Sequence, residues 1–228
     1  MKIDIQGTLY EIPHIEITLL NALVYIRENI NPSLKFGYNC KSGVCGSCAV
    51  RVNFQETLSC QYKVQDGDKI EPLLRHENVA GLLVDYKKAK QNLQKIQTWL
   101  HVRSEKVMGE ACEELIEKQS DCILCSSCFS ACPVLDVKQS FLGPFALTRA
   151  WRYVADVREE EKKSFIEKMQ NDGIWDCTLC GECTVACPMG IDPKSDILHL
   201  RTKSMQAGFF DPTPQPSFED DFGFNPNF

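Results

Sequence analysis

This chain predicts an α+β fold in two unequal parts, a strand-bearing unit over residues 1–82 and an all-helical unit over residues 83–207, followed by an extended Pro/Phe-rich tail over 208–228. Three observations predict it. Apolar residues alternate with period two only in the first third, the apolar spacing beyond Leu82 is helical, and the thirteen cysteines divide at the same place. A chain of 228 residues with 43% apolar content has enough material for two small cores.

The elements follow in order. Ile3 and Ile5 point to one face, Gly7-Thr8 offers a turn, and Leu9-Tyr10-Glu11-Ile12 returns as the second strand of a hairpin. Thr18 is a helix N-cap before Leu19, Leu20, Leu23, Val24, Ile26 and Ile30, a stripe that reads as core, and Asn31-Pro32 ends the helix. Residues 37–48 form a loop with Gly37, Gly43 and Gly46 among cysteines, where backbone N–H groups can approach sulfur closely. Strands at Ala49 to Asn53 and Glu56 to Cys60, then a turn at Asp66-Gly67-Asp68 before Ile70, complete a β-grasp domain whose strands end near residue 76.

Beyond Leu82 the strand signals stop. Helices are predicted over residues 84–101, 105–119, 144–157, 158–170 and 193–206, with cysteine runs on short helices between them and Pro144 in a first turn. The tail holds four prolines, the acids Glu219, Asp220 and Asp221, and six phenylalanines from Phe209 to Phe228. Its composition reads either as disorder or as an extended segment laid over another subunit.

Twelve of the cysteines fall into three sets of four. Cys40, Cys45, Cys48 and Cys60 read C-x4-C-x2-C with a distant fourth member, the plant-type ferredoxin spacing for a [2Fe–2S] cluster. Cys122, Cys125, Cys128 and Cys132, and again Cys177, Cys180, Cys183 and Cys187, read C-x2-C-x2-C-x3-C-P, the bacterial ferredoxin run. In two-cluster ferredoxins the fourth cysteine of each run crosses to the other cluster. On that rule Cys122, Cys125, Cys128 and Cys187 hold one [4Fe–4S] cluster, and Cys132, Cys177, Cys180 and Cys183 hold a second cubane-type cluster. Pro133 and Pro188 end the short helices that carry the crossing cysteines. A disulfide framework suits a small secreted chain, and zinc sites rarely use three cysteines at consecutive three-residue steps, so both rank below iron–sulfur chemistry.

With these motifs in hand, the chain resembles the iron–sulfur subunit of the succinate dehydrogenase / fumarate reductase family over nearly its whole length. The resemblance is carried by Tyr38-Asn39-Cys40-Lys41-Ser42-Gly43-Val44-Cys45-Gly46-Ser47-Cys48, Lys69-Ile70-Glu71-Pro72-Leu73, Leu83-Val84-Asp85, the run from Cys122 to Cys128, Gly143-Pro144-Phe145-Ala146-Leu147, Trp151 to Arg158, and Ala186 to Pro193. It implies an electron-transfer subunit with no catalytic residues of its own. Its expected partners are a flavoprotein that bears FAD and interconverts succinate and fumarate, and an anchor or cysteine-rich subunit that exchanges electrons with quinone or a thiol/disulfide carrier.

Two departures from the family pattern matter. Most members lack a cysteine at the position of Cys180 and hold a [3Fe–4S] cluster there, whereas the thiolate here implies [4Fe–4S] as the second cluster, with [3Fe–4S] the alternative. The family's quinone-site tryptophan and histidine are also missing, since Pro133 is followed by Val134-Leu135-Asp136 and Cys177 by Thr178. Both departures resemble the subgroup whose anchor is a cysteine-rich protein. Competing readings are a subunit of a different flavin dehydrogenase or disulfide-linked reductase, and a free-standing ferredoxin carrier or redox sensor.

The net charge of −6 argues against nucleic acid or an anionic membrane surface as direct partners. No apolar run is long enough to span a bilayer, and no signal pattern opens the chain, so the expectation is a cytoplasmic subunit, peripheral on the inner face of the membrane. Export with a signal-bearing partner is the alternative. Cys112 reads as a free structural thiol, and His14, His76, His101 and His199 show no metal-like pairing. Trp99, Trp151 and Trp175 read as packing residues, with Trp175 a candidate cluster shield, and Arg149, Arg152 and Arg158 as a solvated helix face.

Overall fold

The computed structural model describes residues 1–13 and 16–212. His14 and the tail from residue 213 onward lie outside the described residues. Strands β1 (Lys2–Ile5) and β2 (Thr8–Glu11) form the expected hairpin, turning at Gln6-Gly7 one residue earlier than predicted. Helix α1 (Leu19–Asn29) starts where Thr18 Oγ1 accepts a hydrogen bond from Asn21 N at 3.3 Å. Near its end, the Arg27 guanidinium lies 4.7 Å from the Phe36 ring and 5.4 Å from Tyr38, tying the helix to the cysteine loop.

Strands β3 (Ala49–Val52), β4 (Gln55–Leu58) and β5 (Lys69–Glu71) complete a five-stranded sheet of order β2-β1-β5-β3-β4. The last strand in sequence enters the middle, parallel to β1 and antiparallel to β3. This closes the sheet around α1, and Ile3, Ile5, Leu19, Leu20, Leu23, Ile26, Val50, Val52 and Ile70 are buried between them. The buried stripe of α1 is therefore core, as its spacing predicts.

Strand structure does not stop at Leu82. Strands β6 (Glu77–Ala80) and β7 (Leu83–Asp85) form a small antiparallel hairpin across that point. Gly81 turns between them, and Leu82 is buried in the N-terminal core. The helix expected over 84–101 is consequently shorter: α2 (Lys87–Ile96) begins where the Asp85 carboxylate accepts from Lys87 N at 2.7 Å, and stops at a left-handed Gln97.

The second part is helical: α3 (Glu110–Ser120), α4 (Ser127–Ala131), α5 (Val134–Val137), α6 (Gly143–Val154), α7 (Lys162–Glu167), a 3₁₀ turn (Ile174–Asp176), α8 (Glu182–Val185) and α9 (Pro193–Gln206). Helix α6 is the axle, with α2, α3 and α9 packed around it. Phe129, Phe141, Phe145, Leu147, Ala150, Val154, Phe165, Ile197 and Leu200 fill the core.

Helix α7, expected over 158–170, is also much shorter than its apolar spacing suggests. The cause is a pair of carboxylates that hold residues 155–161 in a turn. Asp156, fully buried, accepts from Arg158 N at 3.0 Å, Arg158 Nε at 2.9 Å and Arg152 at 3.1 Å. Glu159, also buried, accepts from the backbone N–H groups of His101 at 2.6 Å and Glu161 at 2.9 Å. Burial would raise the Asp156 carboxyl, yet the arginine bonds outweigh it and hold the group at about 2. Arg149 donates to the Gln119 carbonyl at 3.2 Å. These arginines are internal struts, which corrects their reading as a solvated face.

Asp196 joins three helices in another way. Its buried carboxyl on α9 accepts from Thr148 Oγ1 on α6 and from Gln119 Nε2 on α3 at 2.8 Å. Among the described residues no cation pairs with it, and burial pushes it up to about 6 from an ordinary 3.8. A carboxyl whose folded value is raised contributes stability that is complete below the unfolded value and is lost as pH rises through the folded one. The native chain is therefore expected to lose about 2–3 kcal/mol between pH 4 and pH 7 through this group. Asp196→Asn keeps the hydrogen-bonding shape without the charge. It should raise the anaerobic melting temperature at pH 7–8 and flatten its pH dependence, measured against native protein in the same buffers.

Candidate metal centres

The three cysteine sets occupy one line of loops running from the sheet into the helical part. In the first loop Cys40 and Cys45 lie together, and Cys48 and Cys60 form a second, buried pair. Gly43 rests against the side chain of Gln61, which brings the tip of the loop beside Cys60. Ser42 N donates to Cys40 Sγ at 3.4 Å, and hydrogen bonds from Ser42 draw this half-buried thiol down to about 6. Burial does the opposite to Cys48, pushing it up to about 11. One sulfur is thus prepared as an anion at neutral pH and its neighbour is not, unless a positive group stands between them.

The two later runs repeat each other in backbone as well as in sequence. Leu124 (φ 55°) and Ser126 (φ 65°) are left-handed in the first run, and Leu179 (φ 57°) and Gly181 (φ 90°) are left-handed at the same two positions of the second. These reversals wrap each loop around a hollow. The first is lined by Cys122, Cys125, Cys128 and Cys187, with Ile123, Phe145, Met189 and Ile191. The second is lined by Cys132, Cys177, Cys180 and Cys183, with Val134, Pro144, Leu179 and Lys194. Helices α4 and α8 pack on each other, so each Cys-Pro step delivers its cysteine into the hollow of the other run.

The chemistry of these hollows is that of sulfur held ready for iron. Burial, with repulsion among the neighbouring sulfurs, raises Cys122, Cys125 and Cys128, pushes Cys132 up to about 11 and Cys183 to about 12. Four converging thiols in an apolar wall are poor thiolates by themselves, and only a multiply positive group can hold them ionised together. The donor set and spacing fit iron–sulfur clusters. Cys180 is the exposed member of its set. Cys112 lies apart, partly buried on α3.

Several contributors touch partners that no sequence spacing signals. Gly46 (φ 70°) presses the first loop onto the second: a Cβ there would stand 2.8 Å from Cys125 Cβ and from the Ile123 carbonyl oxygen. Ser130, fully buried, donates to Glu56 at 2.7 Å and accepts from Leu74 N at 2.7 Å. Arg75 makes a forked pair with Asp136 at 2.9 and 2.6 Å. His76 is buried between Tyr86, 5.2 Å away, and Phe129, 4.9 Å away, and Tyr86 feels the sulfurs of both Cys48 and Cys125. These side chains bolt the first loop to the first hollow.

Of the tryptophans expected to pack, Trp151 lies 4.8 Å from His199, while His101 stacks on Phe165 at 4.6 Å. Trp175 is held by Gln170 at 2.8 Å, with Arg201 over its ring at 5.6 Å. Trp99 departs from that expectation, being half exposed.

Known proteins share this organisation. A family profile described as "2Fe-2S iron-sulfur cluster binding domain" matches residues 6–91, and one described as "4Fe-4S dicluster domain" matches residues 118–191. The chain is 37% identical over 207 residues to the 8-methylmenaquinol:fumarate reductase iron-sulfur subunit of Wolinella succinogenes, covering 84% of this chain and 65% of that one, just under two thirds of its length. It is 32% identical over 209 residues to the fumarate reductase iron-sulfur subunit of Escherichia coli O157:H7, covering 87% of this chain and 86% of that one. A chain of the Mycobacterium smegmatis Sdh1 complex in the apo form shares the fold, with a TM-score of 0.79 at 18% identity over 90% of this chain and 95% of that one.

The close approach at Gly46 makes a direct test. Gly46→Ala must strain a left-handed residue and push Cys125 away, and should cost about 1–3 kcal/mol in anaerobic denaturant unfolding. Gly7→Ala is the control, because Gly7 is also left-handed (φ 82°) but has open space around its Cβ position. Equal costs for the two variants would show that the loop contact contributes nothing.

Proposed function

The chain belongs to the iron–sulfur subunits of the succinate dehydrogenase / fumarate reductase family, and we propose that it passes electrons between a FAD-bearing, succinate- or fumarate-active partner and a second redox partner. The observation that carries this reading is the continuous line of cysteine sites, with the first loop seated by Gly46 directly on Cys125. Clusters bound at these sites would accept and release single electrons, their potentials set by hydrogen bonds, burial and nearby charge. Everything else in the chain positions them.

In this reading Cys40, Cys45, Cys48 and Cys60 hold a [2Fe–2S] cluster, and Cys122, Cys125, Cys128 and Cys187 a [4Fe–4S] cluster. Cys132, Cys177, Cys180 and Cys183 hold a second [4Fe–4S] cluster, because four sulfur donors surround its hollow. The three domains run over 1–82, 83–207 and 208–228. No residue of this chain binds succinate or fumarate.

The first loop faces the flavoprotein and the second hollow faces the anchor or electron-accepting subunit. Thr178 lines that hollow where the family's quinone site would need histidine, and the family's tryptophan is missing from Val134-Leu135-Asp136 after Pro133. Any quinone is therefore bound mainly by the partner. The Wolinella relative is named for a methylmenaquinol, which favours a quinol-linked partner over a thiol-linked one. Among the described residues no helix is long and apolar enough to cross a membrane. In this reading attachment is through the partner, with the subunit peripheral on the inner membrane face. A partner with an export signal would place it on the other face.

Two measurements test the assignment. Iron and sulfide analysis of the native complex should give about ten irons per chain, the sum for one [2Fe–2S] and two [4Fe–4S] clusters. A [3Fe–4S] EPR signal in the oxidised native protein would overturn the role given to Cys180. The exchange of fourth cysteines makes a separate expectation: Cys187→Ser should abolish or perturb the cluster of Cys122, Cys125 and Cys128, although Cys187 belongs by sequence to the other run. Perturbation of only the Cys177 run's cluster would refute the exchange.

A further inference from the structure

The two hollows of the helical part are built as copies, which makes a difference of charge between their walls informative. Helices α6 and α9 begin alike, each with proline in its first turn. Pro144 lines the second hollow and the residue after it, Phe145, lines the first; Pro193 lines the first hollow and the residue after it, Lys194, lines the second. The duplication therefore places Lys194 where its counterpart is Phe145. Phe145 is buried and neutral, and among the described residues Lys194 is the only charged side chain lining either hollow.

The loop has made room for it. Gly181 stands where the first run has Ser126, and a Cβ at Gly181 would meet Lys194 Cδ at 3.8 Å. The lysine stem thus lies across the loop of the second hollow, beside the exposed Cys180. Among the described residues no hydrogen bond or salt bridge holds its ammonium. The nearest acid along the helix, Asp192, is engaged by Ser195 Oγ at 2.7 Å, Ser195 N at 3.2 Å and the Thr184 hydroxyl. A second cation lies behind the same run, where Arg201 donates to the Cys177 carbonyl at 2.6 Å. Of the other acids beside the run, Asp176 is paired with Lys138 at 2.9 Å and Glu182 is exposed to water, while Asp192 feels the Lys194 charge without an ion pair.

We propose that Lys194 is a positioning residue for charge: its ammonium over the Cys180–Gly181 loop raises the reduction potential of the cluster held by Cys132, Cys177, Cys180 and Cys183 above that of its duplicate. This rests on the cluster assignment proposed above. Reduction adds one electron to the bound cluster, with no bond made or broken at Lys194, and a nearby cation stabilises the more negative state. The first hollow, faced by Phe145, has no cation in its wall among the described residues, although the Arg149 charge reaches Cys122 from behind it. Two nearly equivalent sites thereby become an ordered pair, with the electron resting preferentially at the exposed end, where Cys180 meets solvent or a partner.

The test is an EPR-monitored potentiometric titration of the full cluster-loaded chain in its complex, in native, Lys194→Met, Lys194→Gln and Lys194→Arg forms. In the neutral variants the reduction equilibrium of the second cluster should fall about tenfold, equivalent to about 59 mV for one electron. The other two midpoints should stay in place, and the arginine variant should retain the native value. Unchanged midpoints in both neutral variants, or equal shifts of all three clusters, would overturn the proposal. So would loss of the second cluster in both neutral variants, since Lys194 would then build the site rather than tune it. Iron counting on the native sample separates the two layers: a [3Fe–4S] cluster there would refute the cluster type, while its midpoint would still report on Lys194.

Discussion

Everything in the helical part depends on the way α4 and α8 cross. Each is a single short helix that ends at a Cys-Pro step, and each sends that cysteine into the hollow wrapped by the other run. Neither hollow is complete without a cysteine at least 45 positions away in the chain. The surrounding core, with α6 as its axle, holds the two loops face to face at the cost of burying several thiols whose ionisation burial opposes. That cost is recovered only when multiply charged groups occupy the hollows, so folding and metal binding belong to one equilibrium.

The sheet domain is subordinate to the same requirement. Its five strands and one helix make a self-sufficient core, yet its cysteine loop is shaped by what it touches outside that core. Gly46 brings its backbone against Cys125, and Ser130, Arg75 and His76 close the seam around that contact. Most of these are polar contacts made by buried or half-buried groups, which fix orientation more than they add stability. A joint of this kind suits a subunit whose task is to keep sites at constant separation. The duplicated hollows show the complementary device, in which identical backbones are given different surroundings, Phe145 in one and Lys194 in the other.

Where sequence reasoning fell short, the reasons are specific. Residues 158–170 have an apolar spacing compatible with helix, but Asp156 and Glu159 gather arginine and backbone donors and hold the segment as a turn until Lys162. Arg152 and Arg158 look like a solvated face because local spacing says nothing about a buried carboxylate beside them. The β6–β7 hairpin was hidden for a similar reason: its strands are short and largely exposed, so they carry little of the alternation that marks a half-buried strand. Trp99 matches a helical pattern that stops at Ile96, which leaves it half in solvent.

The sequence by itself determined the parts list: a sheet around Thr18-capped α1, helices at Gly143–Val154 and Pro193–Gln206, and twelve cysteines in spacings that only cluster chemistry uses economically. Such signals are local, resting on periodicity, capping and the reach of a few residues of backbone. Only the tertiary structure decided which sulfurs share a hollow, that the first loop rests on Cys125, and that a lysine faces one duplicate and a phenylalanine the other. Those facts are set by how helices and loops pack across long stretches of chain, and no spacing along the chain encodes the distance between two surfaces that meet only after folding.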